Sequence, residues 1–156
     1  MKRILLLLIT ISLMSCGASK TVRDSKKVIK GDWTLTSISY NHGGRFNSIL
    51  FNDASGECFE GSTWQFVPNN NTGIYTLNGI DCSLDQRHFI FTIQEIDPTT
   101  GLYDFLLKPT DEKYNSETNQ GFRLSLAALS ETSMQWQQSV NVAGSSLIMN
   151  INFTKK

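Results

Sequence analysis

A period of two constrains this chain more than any other feature. Eight short stretches between residues 32 and 153 carry large apolar side chains on alternate positions, with turn-forming residues between them. Successive side chains of an extended strand point to opposite faces, so this alternation builds a sheet with one apolar and one polar face. "STWQFVP" (62–68) places Trp64 and Phe66 on one face, "RHFIFTIQEI" (87–96) places Phe89, Phe91 and Ile93, and "LYDFLLK" (102–108) places Tyr103, Phe105 and Leu107. "GFRLSLAAL" (121–129) aligns Phe122, Leu124 and Leu126, "SMQWQQSV" (133–140) aligns Met134, Trp136 and Val140, and "SLIMNINF" (146–153) aligns Leu147, Met149, Ile151 and Phe153. "DWTLTSISY" (32–40) and "IYTL" (74–77) complete the set. In the first of these, Trp33 and Leu35 have one parity and Ile38 and Tyr40 the other, which predicts a bulge near Thr36 and Ser37.

No helix of crossover length separates these stretches, so neighbouring strands are expected to pair antiparallel. Eight antiparallel strands in sequence order can close into an up-and-down barrel, and closure removes the exposed edges of an open sheet. A two-sheet sandwich is the rival, and alternation alone does not separate the two. The expected fold class is all-β over residues 31–156, as an eight-stranded antiparallel up-and-down barrel or as that sandwich. Two connections, 41–61 and 109–121, are longer than hairpins need, and a helical turn is expected around Phe46–Phe51 in the first.

The N-terminus has the three parts of an export signal: a basic start at Lys2 and Arg3, an apolar run from Ile4 to Leu13, and short residues before a break. A spanning helix needs about 20 apolar residues, more than this run supplies. The four residues Leu13-Met14-Ser15-Cys16 resemble the lipobox of bacterial lipoproteins, in which the cysteine receives a diacylglyceryl group and the signal is cut just before it. That resemblance implies a signal peptide over 1–15 and lipidation at Cys16, with acyl chains of the palmitate kind. Two or three chains anchor durably, since each buried methylene contributes about 0.8 kcal/mol. Residues 16–30 then read as the lipidated N-terminus and a polar tether. The segment after Cys16 carries no acidic run, which places the expected anchor on the periplasmic face of the outer membrane rather than the cell surface.

Export puts Cys58 and Cys82 in an oxidising compartment, where an even pair is expected to form a disulfide. Metal ligation is the competing reading, but no CxxC spacing occurs and the chain holds only two histidines, His42 and His88. With Lys2 and Arg3 removed, twelve basic residues face fourteen acidic ones, a net charge of about −2. The cations are scattered, so nothing forms the basic stripe that nucleic acid requires.

Other residues carry a second resemblance. "GDWTLTSISY" at the first strand, Cys58 followed by "GSTWQF", the later Cys82 and the lipobox are together similar to the lipocalin-like lipoproteins of the Bacteroidetes group. Gly31-Asp32-Trp33 also fits the Gly-x-Trp signature of lipocalins proper, which implies that Trp33 closes the barrel floor. The resemblance implies an eight-stranded barrel whose mouth or interior holds a small apolar molecule. A barrel of this size is just wide enough to be filled by side chains or to hold one small ligand.

Catalytic chemistry is not expected: GxSxG, HExxH and P-loop patterns are absent, and no cofactor or metal site is indicated. His42 reads as an exposed loop residue and His88 as a surface residue beside Arg87. Two functions fit. In the first, the barrel binds a small apolar ligand in the cell envelope, with Trp64, Phe91, Phe105 and Trp136 as wall residues. In the second, a filled barrel uses loops 41–61 and 109–121 to dock an envelope protein or inhibit a hydrolase.

Overall fold

The computed structural model describes residues 18–42, 46–79, 81–97, 102–116, 118–142 and 144–156. The proposed signal peptide and Cys16 lie outside them. In chain order the elements are helix α1 (Lys20–Ile29), β1 (Gly31–Tyr40), β2 (Ile49–Leu50), β3 (Ala54–Ser55), α2 (Gly56–Phe59), β4 (Thr63–Val67), β5 (Thr72–Thr76), β6 (Gln86–Asp97), β7 (Leu102–Thr110), β8 (Phe122–Leu129), β9 (Ser133–Val142) and β10 (Ser145–Lys155). The eight longer strands form one closed antiparallel barrel in the order β1-β10-β9-β8-β7-β6-β5-β4. Closure comes from β1, which pairs with β10 through Trp33↔Lys155 and with β4 through Gly31↔Phe66. This pairing decides for the barrel over the sandwich.

The eight strands fall on the eight alternating stretches. The expected bulge is present as a register shift between Leu35 and Ser37 in the β1–β10 ladder. The carboxylate of Glu60 answers it, accepting a hydrogen bond from the Ile38 N–H at 2.9 Å. Glu60 therefore satisfies a backbone donor instead of standing in solvent as a rim charge.

Inward-facing rings fill the lumen. Trp64 on β4 meets Trp136 on β9 edge to face at 5.6 Å, and Phe66 on β4 meets Phe105 on β7 at 6.2 Å. These strands are three places apart in the barrel, so the contacts cross the interior. Offset or edge-on ring pairs at such spacings add roughly 0.5–1.5 kcal/mol each beyond burial. Gly73 makes room for one ring, since a Cβ there would come within 2.2 Å of Phe89. Over β9 and β10 the outer face is mostly polar: Gln135 donates to Asn152 at 2.8 Å and Gln137 to Asn150 at 2.9 Å. Apolar inside and polar outside is the reverse of a transmembrane barrel.

Two segments differ from expectation. Residues 20–29 form a helix packed on the barrel, not a tether. Ser19 caps it, its Oγ accepting from the Val22 N–H at 3.2 Å, and Val22, Ser25 and Ile29 are buried on one face. The spacing i, i+3, i+7 was hidden because one of the three positions is a serine and most of the segment is charged or polar. Among the described residues, the packed structure thus includes this helix as well as the strands from residue 31. In the connection after β1, the helical turn lies at Gly56–Phe59, while Phe51 and Asn52 adopt φ of 53° and 55° in the β2–β3 turn. Two successive left-handed residues cannot continue a helix.

Candidate functional site at the barrel mouth

The two ends of the barrel are closed differently. At the end holding Gly31 and Lys155, α1 packs against β6 and β8 and buries Ile29 completely. The Trp33 indole Nε1 donates to the Ile29 carbonyl at 2.9 Å, and Lys155 Nζ donates to the Val28 carbonyl at 2.7 Å while lying 5.3 Å above the Trp33 ring. Trp33 is therefore a floor residue, tied to the helix that covers it.

At the opposite end, the segment carrying β2, β3 and α2 lies over the opening. It inserts Phe51 against Phe122 and Phe59 against Tyr75, with ring separations of 5.4 and 5.5 Å. The Cys58–Cys82 disulfide, with a Cα separation of 5.7 Å, ties α2 to the loop before β6 and takes both sulfurs out of metal ligation. Gly79 is required there, because a Cβ would stand 2.5 Å from Cys82 Sγ.

An electrostatic clasp holds the same segment to the rim. Tyr75 and Arg87 are cross-strand partners on β5 and β6. Asp53, from the β2–β3 turn, accepts from the Tyr75 hydroxyl at 2.8 Å and from Arg87 Nε at 2.9 Å. Arg87 Nη1 also donates to the carbonyls of Ser83 at 3.1 Å and Asp85 at 2.6 Å. Burial, reinforced by the hydrogen bond to Asp53 and its negative charge, pushes the Tyr75 pKa far above the ordinary tyrosine value, against the lowering effect of Arg87. Tyr75 is therefore a fixed donor at any physiological pH.

Beside this clasp is a cavity of about 260 Å³. Phe51, Pro109 and Phe122 give it apolar walls, and Asp53, Arg87, His88, Thr110 and Gln120 supply polar groups. His88 and Thr110 are cross-strand partners, and the buried His88 Nδ1 and Thr110 Oγ1 have no hydrogen-bond partner among the described residues. Tyr114 packs edge-on against the His88 imidazole at 5.5 Å, so His88 is partly covered where a surface residue was expected. Asn52 Nδ2 donates to Gln120 Oε1 at 3.0 Å, bridging the segment over the mouth to the loop after β7.

The wall residues expected from the sequence lie elsewhere. Trp64, Phe91, Phe105 and Trp136 are all at most 2% exposed and pack on one another, with Phe91 and Phe105 stacked at 5.3 Å and Phe105 and Trp136 at 4.6 Å. They form the filled lumen. His42 is exposed. The residues that converge at the mouth, Asp53, Tyr75, Arg87, His88 and Thr110, were not singled out for binding. The usable signal was the length of the two connections that meet there.

Among solved structures, a lipocalin-like protein from Bacteroides uniformis resembles this chain over 83% of its length and 99% of that protein's, with a TM-score of 0.51 and 12% identity. The fold is lipocalin-like. No protein-family model and no curated protein matches the chain. The lipocalin-like architecture thus stands on strand order, barrel closure and this likeness, while the mouth of this lipocalin-like barrel is read from its own geometry.

Proposed function

We propose that this protein is a lipid-anchored bacterial envelope protein that binds a small, largely apolar ligand at the mouth of its barrel. One observation carries the reading: the mouth cavity joins apolar walls from Phe51, Pro109 and Phe122 to the polar residues Asp53, Arg87, His88, Thr110 and Gln120. Ligand sites commonly combine a mainly apolar lining with a few convergent polar groups, in volumes of about 300–1,000 Å³. The cavity is close to the lower end of that range, and the rings below it leave the lumen to side chains. The ligand is therefore small and sits at the mouth, beneath Phe51.

Binding, rather than catalysis, suits the polar groups. Asp53, Tyr75 and Arg87 are engaged with one another, which holds the covering segment in place and leaves no activated nucleophile among them. A titration with the neutral fluorophore N-phenyl-1-naphthylamine tests the site. Thr110→Phe, which fills the cavity, should abolish the fluorescence gain of the folded protein; an unchanged titration would overturn the mouth reading.

Anchoring rests on Leu13-Met14-Ser15-Cys16. Cys16→Ala should lose incorporated acyl label and leave the outer-membrane fraction. Protease access in intact cells then reports the face, with protection expected for the periplasmic side. The filled lumen also favours a second reading, in which the mouth loops dock an envelope protein. In-cell crosslinking from position 118, on the rim, should then enrich one partner above an unrelated lipoprotein.

A further inference from the structure

The largest cavity among those described is on the outer wall of the barrel, not at its mouth. It is a groove of about 630 Å³ across β6, β7 and β8. Its floor is made by Ile90, Thr92 and Leu106, which alternate with the lumen-facing residues and so point outward. The β4–β5 turn, with Asn70 and Asn71, forms one side, and the approach to β8, with Asn119 and Gly121, forms the other. From β5 to β8 the groove crosses three strand spacings, roughly 14 Å.

Its charge is one-sided. Among the described residues, Lys108 and Arg123 are the charged ones that line it. Lys108 is the cross-strand neighbour of Ile90, and Arg123 that of Leu106, so both cations border the apolar floor. Lys108 Nζ donates to the neutral Asn119 Oδ1, and no carboxylate among the described residues pairs with it. Arg123 shares Nη1 with Asp104 at 2.7 Å, yet its side chain stays 67% exposed. The lysine bond also orients Asn119: with Oδ1 occupied, its amide nitrogen is the group left to donate. Asn71 repeats this on the other side, where its Oδ1 accepts from Lys26.

We propose that this groove binds an amphipathic monoanion, its acidic head held by Lys108, Arg123 and the Asn119 amide and its apolar body lying across Leu106 and Ile90. Among the described residues Lys108 has only a neutral partner, and such a cation favours an anionic ligand, since a hydrogen bond to a charged group contributes more than a neutral one. A ten-carbon chain matches the span. The groove meets the mouth cavity at Phe122, which lines both, but its floor and its two cations belong to the outer wall.

Decanoate, below its micelle concentration, is the probe, followed by calorimetry and by NMR shifts of the Ile90 methyls and the Asn71 and Asn119 side-chain amides. Saturable binding is expected, with decan-1-ol weaker. Lys108→Gln should weaken decanoate about tenfold or more, a charge-assisted bond's worth, while leaving decan-1-ol unchanged; Lys108→Arg should restore it. Leu106→Gln should weaken both, and Thr110→Phe at the mouth neither. No saturable decanoate binding, shifts confined to His88 and Tyr75, or unchanged affinity in a folded Lys108→Gln protein would each overturn the proposal.

Discussion

The two ends of the barrel are sealed by different physics. At the floor, a helix adjacent in sequence to β1 buries Ile29 against Trp33, and few polar groups take part. At the mouth, a covering segment is held by a disulfide, a three-residue clasp and two inserted rings, and a cavity remains beside it. The floor is continuous with the core, so it should open only when the barrel unfolds. The mouth is fastened at points, and a cover fastened at points can be released while the barrel persists. The proposed ligand site lies at this end.

Substitutions can break this contrast. The largest effect is expected at the floor: Trp33→Ala removes a fully buried ring and its bond to Ile29, for a loss of about 3–5 kcal/mol. Urea unfolding should show it as a global change, with amide exchange accelerated in every strand. Replacing Cys58 and Cys82 by serine comes next. The chain-entropy estimate for the closed loop is roughly 3.5 kcal/mol, and exchange should rise first in residues 46–61 and 77–86, before the strands.

Asp53→Asn tests the clasp. Leaving Arg87 and Tyr75 with a weaker acceptor should cost about 1–3 kcal/mol, read from the unfolding midpoint. Absorbance titration carries a further expectation. Burial is the larger cause of the raised Tyr75 value, so the variant's Tyr75 should ionise at lower pH than in the parent and still above an ordinary tyrosine. The sign for stability follows. Because the folded value is raised, stability is intact below the ordinary tyrosine pKa and falls as pH rises beyond it, when the unfolded chain ionises and the folded one does not.

The smallest effect belongs to the loop after β7. Asp111 Oδ1 accepts from the backbone N–H groups of Asn115 at 2.7 Å and Lys113 at 2.9 Å, and these bonds, the one from Asn115 foremost, hold its pKa below the ordinary carboxylate value. Its contribution is present above the ordinary value and is lost as pH falls through the lowered one. Protection factors at the Lys113 and Asn115 amides, corrected for the intrinsic pH dependence of exchange, should fall only in that acid range, and Asp111→Ala should remove the protection at neutral pH without moving the global midpoint measurably.

Much of the fold was legible in the sequence. Each alternating stretch became a strand, and the parity change after Leu35 located the bulge. The cysteine pair became a bridge. The helix over Lys20–Ile29 was not legible, because its buried face consists of Val22, Ser25 and Ile29 and its helicity depends on the barrel end it covers. Nor was the mouth: Asp53 lies 22 residues before Tyr75 and 34 before Arg87, in a turn whose two left-handed residues aim it back at the rim.

By itself, then, the sequence determined that alternating strands would build an apolar interior behind a polar wall, since side-chain direction in a strand is a local property. Only the tertiary structure decided whether that interior is hollow. Trp64, Phe66, Phe105 and Trp136 come from three strands separated in the ring, and whether they leave a space depends on how their volumes meet across the lumen, which no single strand encodes. They meet in contact, and the two proposed binding surfaces accordingly lie at the mouth and on the outer wall.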